Sequence, residues 1–178
     1  MRWTVFLVLV CLTLVVQTSL VQWLTFSAGS AGTVQPDLLA LTAVFVALFA
    51  RAGLDAMLAA WALGLAADLT TQAAVGVMPV AYALAAGAVF RLRDAFFRDR
   101  ISTRFILTLV FCLLAHPLWV TAQAAIDWRR NTWGGYGLTL LQAVLLSLYT
   151  AVLAPPLHWL LAKTGPLLWG QPAGRPRR

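Results

Sequence analysis

The stretch GLDAMLAAWALGLAADL, residues 53–69, carries Ala56, Ala60 and Gly64 at four-residue intervals behind Ala52 and closes on Asp68. Residues four apart share one face of a helix, so the spacing predicts a narrow stripe without bulky side chains, ending in a carboxylate. Such a stripe lets a second helix approach closely in lipid, where association depends on van der Waals contact and polar bonds rather than on water exclusion. An acid beside it is costly unless paired. Ala56, Ala60, Gly64 and Asp68 are therefore the candidate seam, for a neighbouring helix or for a partner, and nothing in them suggests chemistry. Thr70, Thr71 and Gln72, ahead of Gly76, read as a polar turn packed against another helix.

Working outward, the 178 residues are 61% hydrophobic and 11% charged, with no glutamate, whereas about a quarter of the residues of soluble domains are charged. The composition predicts an all-α polytopic membrane protein. The segments left between apolar runs, roughly ten to fifteen residues, are too short to bury a second core, so residues 1–178 read as a single integral membrane domain. The net charge of +7 sits at the ends of the apolar runs, where it fixes orientation or meets anionic headgroups. No basic folded module is present to bind nucleic acid. Cys11 and Cys112 lie inside apolar runs as small hydrophobes. His116 and His158 are isolated in sequence, although they could meet in space, and no Cys/His/carboxylate cluster has metal-ligand spacing. Without glutamate, paired acids, or a Ser or Cys beside a base, the usual hydrolytic sets cannot be assembled. No filter motif argues for conduction. The expectation is a non-enzymatic protein with no cofactor and no metal.

Apolar runs at about residues 3–24, 36–51, 53–70, 74–91, 104–126 and 137–162 predict six short transmembrane helices, followed by a basic tail over 163–178. As a helix the first run is about 33 Å long, enough to span, whereas a signal-peptide core needs only about 7–15 residues. An uncleaved first helix is preferred. With the N-terminus inside, Arg2, Arg51, Arg91, Arg93, Arg98, Arg100, Arg104, Lys163, Arg175, Arg177 and Arg178 are cytoplasmic, and only Arg129 and Arg130 lie outside. That asymmetry, with an even number of spans, places both termini in the cytoplasm. A re-entrant hairpin over 36–70 is the alternative to two short, tilted spans. It would bury Arg51 and Asp55 at about 2.5–3.5 kcal/mol each, so the spans are preferred and Gly53→Cys is expected to label from the cytoplasm only. Pro79, Pro117, Pro155 and Pro156 predict kinks, which either open a cavity or fit helices around one another. Trp3, Trp23, Trp128, Trp133 and Trp169 flank apolar runs as interfacial anchors.

Two loops stand out. Arg91, Arg93, Arg98, Arg100 and Arg104 form the basic cytoplasmic loop, among phenylalanines and two aspartates. It sets topology and binds headgroups, or it docks a partner. The outer loop DWRRNTWGGY, residues 127–136, holds Trp128, Arg129, Arg130 and Trp133. It is an interfacial turn or a grip for an extracytoplasmic partner. Asp37, after Pro36, reads as a helix cap. Gln17, Thr18, Gln123 and Gln142 are scattered and read as interhelical hydrogen bonders rather than as a ligand site.

Pro36-Asp37-Leu38-Leu39 opening a short apolar segment, the turn at Arg51 to Gly53, the run Gly64-Leu65-Ala66-Ala67-Asp68-Leu69, and Gly76 with Tyr82 beyond resemble the bacterial rod shape-determining protein MreD family. The motif part covers residues 36–90; the rest matches in length and hydropathy. After Asp68, where family members often have a Ser/Gly-rich turn, this chain has Thr70-Thr71-Gln72-Ala73-Ala74. The resemblance implies a scaffold of the cell-elongation machinery that organises cell-wall synthesis from the cytoplasmic membrane. It would bind the single-span protein MreC and lie near a RodA-type glycan polymerase, its transpeptidase and MreB filaments. The family's helical arrangement is similar to the S-component bundle of vitamin transporters, which supplies the alternative function of a substrate-binding subunit. S-components commonly dock through an Ala-x-x-x-Ala stripe in the first helix, and residues 3–24 contain neither alanine nor glycine. Small-residue seams are also compatible with a homodimer.

Overall fold

The computed structural model describes residues 2–19, 21–27, 29, 32–71, 76–93, 101–126, 133–163 and 168. Six α-helices run in chain order: α1 Trp3–Ser19, α2 Leu38–Phe49, α3 Gly53–Leu69, α4 Val77–Leu92, α5 Ile101–Ile126 and α6 Trp133–Ala162. Three stretches, in α3, α5 and α6, are long and apolar enough to cross a membrane (53–70, 102–126 and 135–162), while α1, α2 and α4 are shorter. Helices α5 and α6 continue through Pro117, Pro155 and Pro156. Pro79 falls in the first turn of α4, where the missing N–H has no helical acceptor to lose.

The run expected to be one helix over 3–24 stops at Ser19. A 3-10 turn follows over Val21–Leu24, and then a two-residue antiparallel pair, β1 (Phe26–Ser27) with β2 (Thr33–Val34). This ribbon lies alongside α6 rather than beyond its end. Gln142 donates Nε2–H to the Thr33 carbonyl (2.7 Å), and Tyr149 donates its hydroxyl to the Leu24 carbonyl (3.0 Å). Phe26 meets the Tyr149 ring edge to face at 5.3 Å. These residues sit ~13 and ~24 Å along α6 from its first residue, at 1.5 Å per residue. Non-helical backbone beside the middle of a helix needs such partners for the polar groups that so short a ladder leaves unpaired.

Helix α2 is the centre of the fold. Its sequence, LLALTAVFVALF, is apolar on every side, and ten of its twelve residues are buried. A helix with no polar face must be enclosed, and α2 packs against all five of the others. At ~18 Å it covers little more than half of a hydrocarbon core of about 30 Å. The helix is shorter than the apolar run over residues 36–51 from which a span was expected.

Ala56, Ala60 and Gly64 are all buried, and Gly64 lies against α4. A Cβ on Gly64 would stand 2.7 Å from both the Met78 carbonyl oxygen and the Pro79 Cα, so the two backbones meet where only hydrogen fits. Ala52, the first member of the stripe, caps α3 and is exposed.

Candidate functional site

The start of α2 lies inside the bundle. A buried helix start leaves amide donors without partners, and here side chains of two other helices accept from them while side chains of two more face the capping carboxylate. Gln17 of α1 donates Nε2–H to the Pro36 carbonyl (3.1 Å) and accepts the Leu38 N–H on Oε1 (2.8 Å). Thr150 of α6 accepts the Asp37 N–H on its hydroxyl (3.0 Å). Asp37 caps the helix in extended backbone geometry, its Oδ1 accepting the Ala40 N–H at 3.0 Å. Its second oxygen accepts the Tyr82 hydroxyl of α4 and faces Nε2 of His116 of α5 at 3.1 Å.

The cap inferred from sequence is therefore also the joint of four helices. His116 is not isolated: it is 4% exposed, and its Nδ1 faces the Cys112 carbonyl at 3.1 Å. Through its two ring nitrogens the imidazole ties Asp37 of α2 to the backbone of α5. His116 and His158 serve different oxygens, since His158 Nε2 donates to the Leu41 carbonyl (3.1 Å) and braces α2 against α6.

The far end of α2 is closed by Arg93. One guanidinium nitrogen, Nη1, donates to the carbonyls of Ala47 (3.0 Å), Leu48 (3.1 Å) and Ala50 (2.6 Å), and the guanidinium stacks on Phe90 at 3.8 Å. A carboxylate at the first turn and a guanidinium at the last both complement the helix dipole. Arg93 was grouped with the basic loop, and the structure removes it from any exposed docking role: it is 6% exposed. The carbonyls at the end of an enclosed helix draw it inward. Arg91 is exposed and Arg104 half-buried. Arg98 and Arg100 lie outside the described residues, as do Trp128, Arg129 and Arg130 of the outer loop and the side chain of Trp133.

Asp68, 1% exposed, closes the α3–α4 turn by accepting the Gly76 N–H at 2.6 Å. Thr70 and Thr71 donate to the carbonyls of Ala67 (2.7 Å) and Asp68 (3.1 Å). Gly76 has φ +110°, a left-handed conformation open to glycine without steric cost. The seam residues and Asp68 are thus used within the chain, which the four-residue spacing could not decide.

Beside the start of α2 is a cavity of about 320 Å³, bounded by the α3–α4 turn and by α5 and α6. Gln17, Gln35, Asp37, His116, Thr139 and Gln142 bring polar groups to it, among Leu39, Met78, Val120 and Leu146. Gln17 and Gln142, read from sequence as scattered, converge here because α1 and α6 flank α2. The indole N–H of Trp119, also in the lining, is buried and has no acceptor among the described residues.

Fold and site define an all-helical bundle built around one enclosed short helix, with three helices of membrane-crossing length. The chain matches no protein-family model, no curated protein and no solved structure. Among the described residues no group of three or more His, Cys, Asp or Glu is arranged to hold a metal.

Proposed function

We propose that the chain is a non-enzymatic scaffold of the MreD type in the bacterial cytoplasmic membrane, crossing it six times with both termini inside and binding an MreC-like single-span protein. The observation that carries this reading is what the motif residues do. Pro36 and Asp37 anchor α2 to its neighbours, Gly64 admits α4, and Asp68 and Gly76 close the turn. A motif spent on internal joints suits a protein that works by holding a shape. In this reading α2 completes its crossing together with the ribbon along α6. The partner helix then meets apolar faces left exposed, such as Val8, Leu12 and Val15 of α1 or Leu148 and Val152 of α6. A RodA-type polymerase, its transpeptidase and MreB would be reached through that partner or through the loops.

The test is mass spectrometry of proteins recovered with a C-terminally tagged chain from its native membrane in mild detergent. An MreC-like protein with a glycan polymerase or transpeptidase is expected. An ATPase pair with a coupling subunit would overturn the scaffold in favour of a transporter's substrate-binding subunit, the reading to which the cavity lends support.

A further inference from the structure

Between α1 and α6 runs a second groove, floored by α2, with a volume of about 130 Å³. Leu9, Leu12 and Val16 form one wall and Leu157, Leu160 and Leu161 the other. Its two hydroxyls, Thr13 and Thr42, face each other at 3.4 Å, and Thr42 donates to the Leu38 carbonyl (2.9 Å). With both hydroxyls used inside the chain, the wall presented to an occupant is almost wholly carbon. Leu12 and Leu160, on opposite walls, are 60% and 53% exposed, so the groove opens sideways. One turn of a helix ~10 Å across and ~5.4 Å long fills ~420 Å³, which is too much for this groove, whereas an extended run of methylenes fits.

The groove ends beside a positive charge. Lys163 is exposed just past the last residue of α6, and residues three apart on a helix are neighbours, so it stands next to Leu160 of the groove wall. Its Nζ lies 4.1 Å from the centre of the exposed Trp159 ring. Tryptophan at a lipid-facing helix end settles at the headgroup level, which sets the ammonium at the depth of lipid phosphates. Arg2, also exposed, opens α1 at the same end of the bundle: its backbone N–H donates to the carbonyl of Leu168, five residues beyond Lys163 (3.0 Å). Along α1 the groove runs from Leu9 to Val16, ~10 Å at 1.5 Å per residue, away from those charges. A chain held by its head at Lys163 enters beside Leu160 and Leu161 and runs inward, the direction a lipid tail takes from its headgroup.

We infer that this groove is a binding site for one anionic glycerophospholipid, with a tail between α1 and α6, its phosphate on Lys163, and Arg2 adding to the same field. Lipid tails are as apolar as leucine, so a tail gains little by leaving the bilayer for the groove. The groove fixes where the lipid sits, and the headgroup decides which lipid it is. The inference rests on the membrane setting proposed above and not on the MreC-like partner. Recovery of the chain from the membrane fraction tests that setting separately, and lipid retention and partner recovery can each fail alone.

The full chain, stripped of lipid by exchange into mild detergent, is titrated with an equimolar mixture of phosphatidylglycerol and phosphatidylcholine with the same tails, and native mass spectrometry counts what stays bound. One phosphatidylglycerol is expected to be retained in preference to phosphatidylcholine. Lys163→Gln should weaken that retention about fivefold, the loss of one basic charge beside a headgroup. Arg91→Gln removes another exposed charge, from α4, which takes no part in the groove, and should leave retention unchanged. Leu12→Trp obstructs the groove from an exposed position and should lower retention of phosphatidylglycerol. Should it fail to fold, Leu160→Trp does the same from the facing wall. Equal retention of the two lipids, an equal loss in Lys163→Gln and Arg91→Gln, or unchanged retention in a folded tryptophan variant overturns the proposal.

Discussion

At the ends of α2, helices are joined by long polar side chains reaching across; along α3 and α4 they are joined by the lack of them. The first joint places a carboxylate, an imidazole, a phenol, an amide and a hydroxyl around one turn of backbone. The second brings two backbones together at Gly64. A polar joint fails by leaving groups unpaired where water does not reach, and a close-packed joint fails by overlap. The two therefore differ in which substitutions they tolerate.

Asp37→Ala should have the largest effect. It deprives the Ala40 N–H, the Tyr82 hydroxyl and the His116 ring of the carboxylate they face, and each buried polar group left unpaired costs about 1–3 kcal/mol. Unfolding in mixed micelles, followed by loss of helical signal, measures it; a loss below ~1 kcal/mol would reduce Asp37 to an ordinary cap. Arg93→Met keeps much of the apolar stem and removes three bonds to carbonyls. The expected loss is about 1.5–3 kcal/mol, the range for hydrogen bonds to a charged group, with protection of the amides near Ala50 against hydrogen exchange falling first. Unchanged exchange there would mean that the last turn of α2 is held by packing alone. Gly64→Ala adds one methyl against the backbone at Met78 and Pro79, and overpacking costs about 1–3 kcal/mol. The same unfolding assay reads it. Gly64→Leu should lower the amount of folded chain in the membrane, whereas a seam facing a partner would have left that amount normal and removed only the partner. A neutral Gly64→Ala would show that α4 can shift outward.

How much of this was legible in the sequence follows from what each feature depends on. The α3 stripe was readable because helical spacing is local, and so were the helix count and the cap at Asp37. That Gly64 packs against α4 was not, since a stripe for a neighbouring helix and a stripe for a partner need the same residues. His116 appeared isolated because its partner is 79 positions away. Arg93 was grouped with its neighbours in the basic loop because the carbonyls that draw it inward lie more than forty positions earlier. Hydropathy extended the first helix to residue 24, although α1 ends at Ser19 and the next apolar residues belong to the 3-10 turn and the ribbon. A signal for that existed in Gln17 and Thr18, polar residues near the end of an apolar run, but it named no partner.

The separations around α2 also set an order of events during synthesis. Its first turn needs Tyr82, His116 and Thr150, which lie 45, 79 and 113 positions further along the chain. Chains emerge from their N-terminus, and contacts distant in sequence form late. The central helix of the finished bundle is therefore among the first to be made and the last to be secured. A nascent chain halted before α6 would hold α2 with its leading amide still seeking Thr150, which makes the final helix a checkpoint on the whole assembly.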